Sequence, residues 1–467
     1  MTLNLLMAHA DDGNPVLQEA LPVEALREAP IEPLEIPERL WNHIADQNLL
    51  TKQRWGVVAP KGPSGDLLLK LIAPLREKRA HDQGGVPVRI YRVNPGMDAP
   101  SSMRWKHQCF WSEDVDEEER PRYLLILGGL KEVSLELQQA LATSAYVGRL
   151  AFDSEAGYQA YVSKVLHWER AQARESKARL LLYTAQDGSD AILQGHADLI
   201  TPCLDACLSH SSTANALHLS DGSQAPGQAL LTRAATPEPS ILLSVSHGLG
   251  RPPNGWSSGD SQRALQGALR LPGQARLTGA DLMSGAFLPG GVWFCFACFS
   301  AGTPAHSLYT PWVRQLAKTH SQMARVLASL PQPLGEEPFI AALPQAVLAN
   351  PDGPLAVIGH VDLAWTLSFS AHGQRTTSRF FGVLRALAQG HRAGPSLMAL
   401  QHFFNEMNMS LTARDSHAAL ETDRGRKVFA SEQDHAYLWL QRQDLMGFIL
   451  LGDPAVRLPV SLPPEES

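Results

Sequence analysis

Two stretches decide the fold. SILLSVSHGLG, residues 240–250, runs apolar and β-branched and then stops on His247 followed by Gly248; GGVWFCFACFSAG, residues 290–302, is a second apolar run that stops on Cys298, 51 residues after the histidine. Short continuous apolar runs bounded by glycine and polar turns are the pattern of strands buried on both faces, which occur in parallel sheets covered by helices. The same grammar recurs outward in both directions. RLLLYTA (179–185), PLAVIGH (354–360) and LMGFILLG (445–452) read as further strands, as do RWGVVAP (54–60), VPVRIYRV (86–93) and YLLILGG (123–129). DLLLKLIAPLREKRA (66–80) and the long EAGYQAYVSKVLHWERAQARESKARL (155–180) have helical spacing. The expectation is an α/β protein with mostly parallel sheets flanked by helices, in two subdomains. Residues 1–50 form an acidic, proline-bearing N-terminal arm, 51–170 an N-terminal α/β subdomain, and 171–467 the unit that carries the chemistry.

Bulk properties bound the functions. The chain has 467 residues with 44% hydrophobic content, enough for more than one core of ordinary size and for a buried site. Lys and Arg total 40 against 47 acidic residues, a net charge of -7, and no basic block is present that would neutralise a phosphate backbone, so nucleic acid is not expected as a partner. No run of about 18 apolar residues occurs, and the opening MTLNLLMAHADDG has no basic leader, so a membrane partner is not expected and a cytoplasmic location is. Five cysteines in so long a chain make no disulfide framework and fit a reducing compartment in which thiols stay free.

Ligand sites in open parallel sheets form just beyond the carboxyl ends of strands, where both His247 and Cys298 fall. A thiol becomes a good nucleophile only when ionised, and a nearby imidazole can take its proton and later return it to a leaving amine. Neighbouring strands lie about 5 Å apart, so two side chains at adjacent strand ends can reach one carbonyl. Gly248 lacks a Cβ and lets another backbone approach, and its amide together with that of Cys298 would supply an oxyanion hole.

The ordered set YVGRLAFDSEAGYQAYVSKVLHWE, SVSHGLG, WFCFACFSAG, GPLAVIGHVDLAW and GFILLGDPAVRL resembles the gingipain-type, caspase-like cysteine peptidases, related to caspases and to the CHAT peptidases, over roughly residues 120–460. A histidine about 50 residues before the nucleophilic cysteine is also the caspase spacing. The resemblance implies a caspase-like α/β fold in two subdomains, a catalytic dyad of His247 and Cys298, and cleavage of protein or peptide substrates without a cofactor or metal. It further implies an acidic third member in the turn QDGSDA (186–191), with Asp187 the candidate and Asp190 the second, and a specificity pocket at HVDLAWT, where Asp362, Asp190 and Trp365 would favour a basic side chain. It assigns Asp453 of LLGDP to fold closure, capping a turn. The absence of a leader separates the chain from the secreted gingipains and suggests, by analogy, a regulated processing protease of bacterial defence or cell death, with an activator or regulatory partner.

Other readings carry less. Cys295, three residues before Cys298, falls on the opposite face of the strand and reads as core. Cys203 and Cys207 of PCLDAC read as helical, which argues against a zinc site shared with Cys295 and Cys298. His360 ends another strand and reads as a pocket-wall or structural histidine, and the charged stretch 419–435 as a solvated loop. A catalytically inactive caspase-like scaffold or binding module is the main alternative. A nucleotide sensor built on VVAPKGPSGDLLLKL (57–71) is a weaker one.

Overall fold

The strongest apolar runs become the middle of one ten-stranded sheet. The computed structural model describes residues 2–22, 24, 25, 46–171, 177–209, 214–331, 337–371, 374–424 and 432–460. In chain order the sheet strands are β1 (Trp55–Pro60), β2 (Arg89–Val93), β3 (Tyr123–Leu127), β4 (Tyr146–Leu150) and β5 (Ala178–Thr184). They continue with β6 (Ala214–Leu219), β7 (Ser240–Val245), β8 (Val292–Phe296), β9 (Ala356–His360) and β10 (Phe448–Gly452). Their spatial order is β2-β1-β3-β4-β10-β9-β8-β7-β5-β6. Every junction is parallel except β9–β10. The sheet is therefore two parallel halves running in opposite directions and sharing one antiparallel seam. The mixed α/β class with a mostly parallel sheet is the one the sequence pattern indicates.

Burial on both faces explains the unbroken hydrophobicity. All residues of β7 and β8 are buried, and fully burying such side chains stabilises by roughly 1.5–3 kcal/mol each. The helix Glu155–Arg170 begins at Ser154, whose side chain accepts from Gly157 N, and buries Tyr158, Tyr161, Val162 and Val165, the i, i+3, i+4, i+7 stripe of a core-facing helix.

Element boundaries differ from the sequence pattern for local reasons. The helix expected over 66–80 is two helices, Pro63–Leu71 and Ala73–Asp82, because Pro74 cannot donate back and its ring crowds the preceding turn. The long helix ends at Arg170, and the chain resumes as β5 at Ala178. Part of the charged stretch 419–435 is helical rather than loop: helices cover Met398–Asp423 and Glu432–Met446, and 425–431 lies outside the described residues. Of the expected N-terminal arm, 26–45 lies outside the described residues. Residues 2–22 pack as short strands, Thr2–Leu3 against Leu21–Pro22 and Met7–His9 against Gly248–Gly250, with Leu3, Leu5, Leu6 and Met7 buried. No described helix is long and apolar enough to cross a membrane.

Candidate active site

Strand order places the candidate residues at neighbouring strand ends. β9, β8, β7 and β5 are successive neighbours, and just past their carboxyl ends come Asp362, Cys298, His247 and Asp187. The β7–β8 register pairs Val245 with Phe296, so His247 and Cys298 each lie two residues beyond the last paired position. Their backbones touch. A Cβ built on Gly248 would sit 1.8 Å from the Cys298 carbonyl oxygen, so only glycine fits there. The room at this glycine is thus taken by the cysteine's own backbone rather than left open for a ligand.

β8 ends before the cysteine because the chain turns sharply. Ser300 Oγ donates to the carbonyls of Cys295 (3.1 Å) and Ala297 (2.8 Å). Phe299, immediately after Cys298, has φ 56°, in the left-handed region that costs a non-glycine residue about 1–3 kcal/mol. Its amide donates to Asp362 O at 3.0 Å, which ties the turn to the neighbouring strand end.

The His247 ring is held from one side only. Ser189 Oγ lies 2.8 Å from Nε2 and 2.6 Å from Asp187 Oδ1. A carboxylate can only accept, so the Ser189 proton points to Asp187 and its oxygen accepts from Nε2–H. The neutral ring therefore carries its proton on Nε2 and leaves Nδ1 as a bare lone pair. Nδ1 is buried and has no hydrogen-bond partner. Asp187 Oδ2 is 3.4 Å from Nε2 and is also paired with Arg270. Burial drives the ring's pKa down, and Arg270 adds to this, while Asp187 acts the other way.

Cys298 is fully buried, and burial pushes its thiol well above the ordinary range. Its Sγ accepts from Ala364 N at 3.2 Å and lies 3.7 Å from Ala364 O. The amides of Gly248 and Cys298 both donate to one oxygen, the Leu6 carbonyl, at 3.1 Å each. Two backbone donors converging on a single carbonyl oxygen beside a thiol form the arrangement an oxyanion hole requires.

The remaining candidates are placed as follows. Asp362 is buried, accepts from Leu308 N (3.0 Å) and Leu363 N (2.8 Å), and burial raises its carboxyl to about 6 against the pull of Ser307 and these amides. The Trp365 ring is buried edge-on against Tyr309 (6.0 Å) and Trp312 (5.3 Å). Asp190 is exposed in the first turn of the helix Asp190–Gly195. Cys295 is buried in β8, and Cys203 and Cys207 are buried on the helix Thr201–Ser209. Among the described residues no three His, Cys, Asp or Glu side chains are placed to hold a metal ion.

Sequence reasoning missed Ser189, Arg270 and Asp444. Ser189 stands in the quoted turn QDGSDA, and its spacing from Asp187 is that of an Asx turn, with Ser189 N donating to Asp187 Oδ1 at 2.9 Å. Arg270 lies on a two-residue strand with no periodic signal. Asp444, on the helix Glu432–Met446, accepts from Trp365 N (2.9 Å) and Ser368 Oγ (2.6 Å) and fixes the loop after β9.

No protein-family model matches the chain, and no curated protein sequence matches it. Solved structures do. One described as "Structure of Protease" superposes with TM-score 0.51 at 12% identity, covering 89% of this chain and 79% of that one. The crystal structure of the Arg-specific cysteine proteinase gingipain R gives TM-score 0.48 at 13% identity over 87% of this chain and 78% of its own. The complex of Porphyromonas gingivalis RgpB pro- and mature domains gives 0.47 at 12% over 87% and 79%. At this identity what the chain has in common with the first of these, a protease, is the backbone fold.

Proposed function

We propose that the protein is a cysteine endopeptidase. The observation that supports this most directly is the convergence of the Gly248 and Cys298 amides, 3.1 Å each, on one carbonyl oxygen at the strand end that also carries His247. In the proposed reaction the bare Nδ1 of His247 takes the Cys298 proton and Sγ adds to the scissile carbonyl carbon. The two amides hold the resulting oxyanion. Collapse breaks the C–N bond, and the amine leaves with the proton from Nδ1. A water molecule, deprotonated by the same nitrogen, then hydrolyses the thioester and frees the thiol. Asp187, acting through Ser189, keeps the proton on Nε2 and is a positioning residue.

The test is digestion of an unfolded protein by the full chain, read by mass spectrometry beside Cys298→Ala. Fragments in the wild-type digest that the variant lacks are expected; identical digests end the proposal. The competing reading, a binding module without activity, is favoured by the burial of Cys298, which raises its thiol pKa although the Ala364 amide on Sγ acts the other way. Iodoacetamide separates the two. A peptidase thiol reacts faster with His247 present than in His247→Ala, whereas in an inert module the substitution changes nothing.

The wider role belongs to the same proposal: a cytoplasmic processing peptidase of the caspase and CHAT type, in defence or cell death, acting on protein substrates under a regulatory partner. In it residues 51–170 support the sheet and 171–467 carry the catalytic groups, with a basic residue as the sequence-based preference at the cut.

A further inference from the structure

The carbonyl held by the two amides belongs to the protein's own chain. Residues 4–9 lie extended along the strand-end rim and are read on their backbone from both sides. Before the held carbonyl the pairing is antiparallel to the loop after β9: Leu6 N donates to Ala364 O (3.3 Å), Thr366 N donates to Asn4 O (3.4 Å), and Leu5 bridges Trp365. Beyond it the strand changes partner, and Met7–His9 runs parallel to Gly248–Gly250. Asn4 Nδ2 donates to Gln194 Oε1 at 2.6 Å. This is strand addition, in which main-chain bonds fix register and the alternate side chains report what the pockets accept.

Resting on the peptidase reading above, we propose that this strand is a built-in substrate analogue with Leu6 in the position preceding the scissile bond, so that the cleft selects peptides carrying a leucine-sized apolar side chain there. The same strand bars other peptides until it is displaced.

The surrounding charges agree. The Leu6 side chain is fully buried. A pocket built for arginine or lysine would leave a carboxylate unpaired when leucine fills it, at high cost. Among the described residues no buried carboxylate oxygen lacks a hydrogen-bond partner. Asp362, the acid the sequence assigns to a basic preference, is taken up by the amides of Leu308 and Leu363. The Trp365 ring is occupied by Tyr309 and Trp312, leaving its backbone to meet the strand.

The experiment pairs two readouts on the full chain. Reporter peptides Asn-Leu-Leu, Asn-Leu-Arg and Asn-Leu-Asp, each amide-linked to a fluorophore, give the preference. The leucine peptide is expected to exceed the arginine peptide by about tenfold or more in kcat/KM, the size of discrimination a shaped apolar pocket supplies. Alkylation of Cys298, read by peptide mapping, reports whether the strand is seated, independently of catalysis. Leu6→Asp is expected to speed it about tenfold or more and Leu6→Met to leave it within about threefold, because labelling follows the population of the open form. Leu6→Gly, expected to speed labelling as well, stands in where Leu6→Asp does not fold. Preference for the arginine or aspartate peptide overturns the inference and leaves the peptidase standing. If neither the wild-type chain nor Leu6→Asp, in which the strand is unseated, cuts any peptide, the peptidase proposal fails, and labelling unchanged by Leu6→Asp and Leu6→Gly overturns the strand's seat as well. Faster labelling without cleavage keeps the strand's seat over the thiol and overturns its reading as a substrate analogue.

Discussion

Two histidines end strands on the same half-sheet, His247 after β7 and His360 at the end of β9, and both are fully buried. They are wired differently. His360 has partners on both nitrogens: Nδ1 meets Asp362 O at 2.9 Å, and Nε2 meets Asp444 O at 2.9 Å and Asp444 Oδ1 at 3.4 Å. Its ring also fills the space beside Gly447, where a Cβ would come within 2.1 Å of Nε2. His247 is bonded on Nε2 alone. Burial by itself lowers both, yet at His360 the hydrogen bond and charge of Asp444 win and its pKa is raised, while at His247 burial prevails. A saturated ring is a structural cross-link. A ring with one bare nitrogen has a proton acceptor to spare.

The contrast can be broken by substitution. The largest effect expected is on turnover: Cys298→Ala or His247→Ala should lower peptide hydrolysis on the order of 10³-fold or more, as loss of a nucleophile or base does. His360→Gln would lower it far less, and a comparable loss there would erase the distinction. Gly248→Ala puts a methyl onto the Cys298 carbonyl and should separate the two convergent amides; losing one oxyanion donor costs about 10²–10³ in kcat, measured with KM near its wild-type value.

Stability should run the other way. His360→Ala leaves buried Asp444 and Asp362 acceptors unmet and opens a cavity beside Phe448, whose ring centre is 4.9 Å away, so a loss of about 3 kcal/mol or more is expected in urea unfolding. His247→Ala should cost about 1 kcal/mol or less, since it also removes an unsatisfied nitrogen. Equal losses would show that both rings serve the fold.

The smallest effect is the most discriminating. His247 has a folded pKa below its ordinary value, so the unfolded chain binds the extra proton, and the stability it contributes is complete above about pH 6.5 and drains away as pH falls below it. His360 has a raised folded pKa; its contribution is present below about pH 6.5 and is lost as pH climbs through the folded value. His247→Gln should therefore flatten the acid limb of a stability–pH curve and His360→Gln the neutral limb. Matching changes in both variants would contradict the opposite shifts.

How much of this was legible in the sequence depends on which force sets each element. β7 and β9 are recovered to within two residues because burial on both faces demands the unbroken apolar run that marks them, while β8 starts where its run does but ends at Phe296, short of the cysteine, where the chain turns. β6, ANALHL, carries no such run, since it is the edge strand beside β5. β4, YVGRL, hides a buried Arg149 that donates to Gln138 Oε1 and to the carbonyls of Gly128, Gly129 and Val133, and a guanidinium in a strand reads as surface until those acceptors are seen. Asp453 reads as a turn cap, and it does accept from Ala455 N at 3.0 Å. It is also the buried partner of Arg79 at 2.7 Å and of Trp55 Nε1 at 2.9 Å, contacts across hundreds of residues that no local pattern encodes. Asp453→Ala should cost about 3–5 kcal/mol by stranding that arginine, read as a lowered Tm. At the candidate site, the strand-end positions of His247, Gly248, Cys298 and Asp187 are legible from the apolar runs and turns, and their proposed roles from the resemblance. Ser189 and Leu6 are not, because one acts through a hydroxyl contact and the other through its main-chain oxygen, for which side-chain identity carries no signal.

The seam between β9 and β10 has a geometric corollary. Since the sheet reverses direction there, the carboxyl ends of β1 to β4 open toward the rim opposite the one holding Cys298. Loops grafted onto that far rim can lengthen, shorten or acquire contacts of their own without crowding the thiol, so one continuous sheet offers two surfaces free to diverge independently.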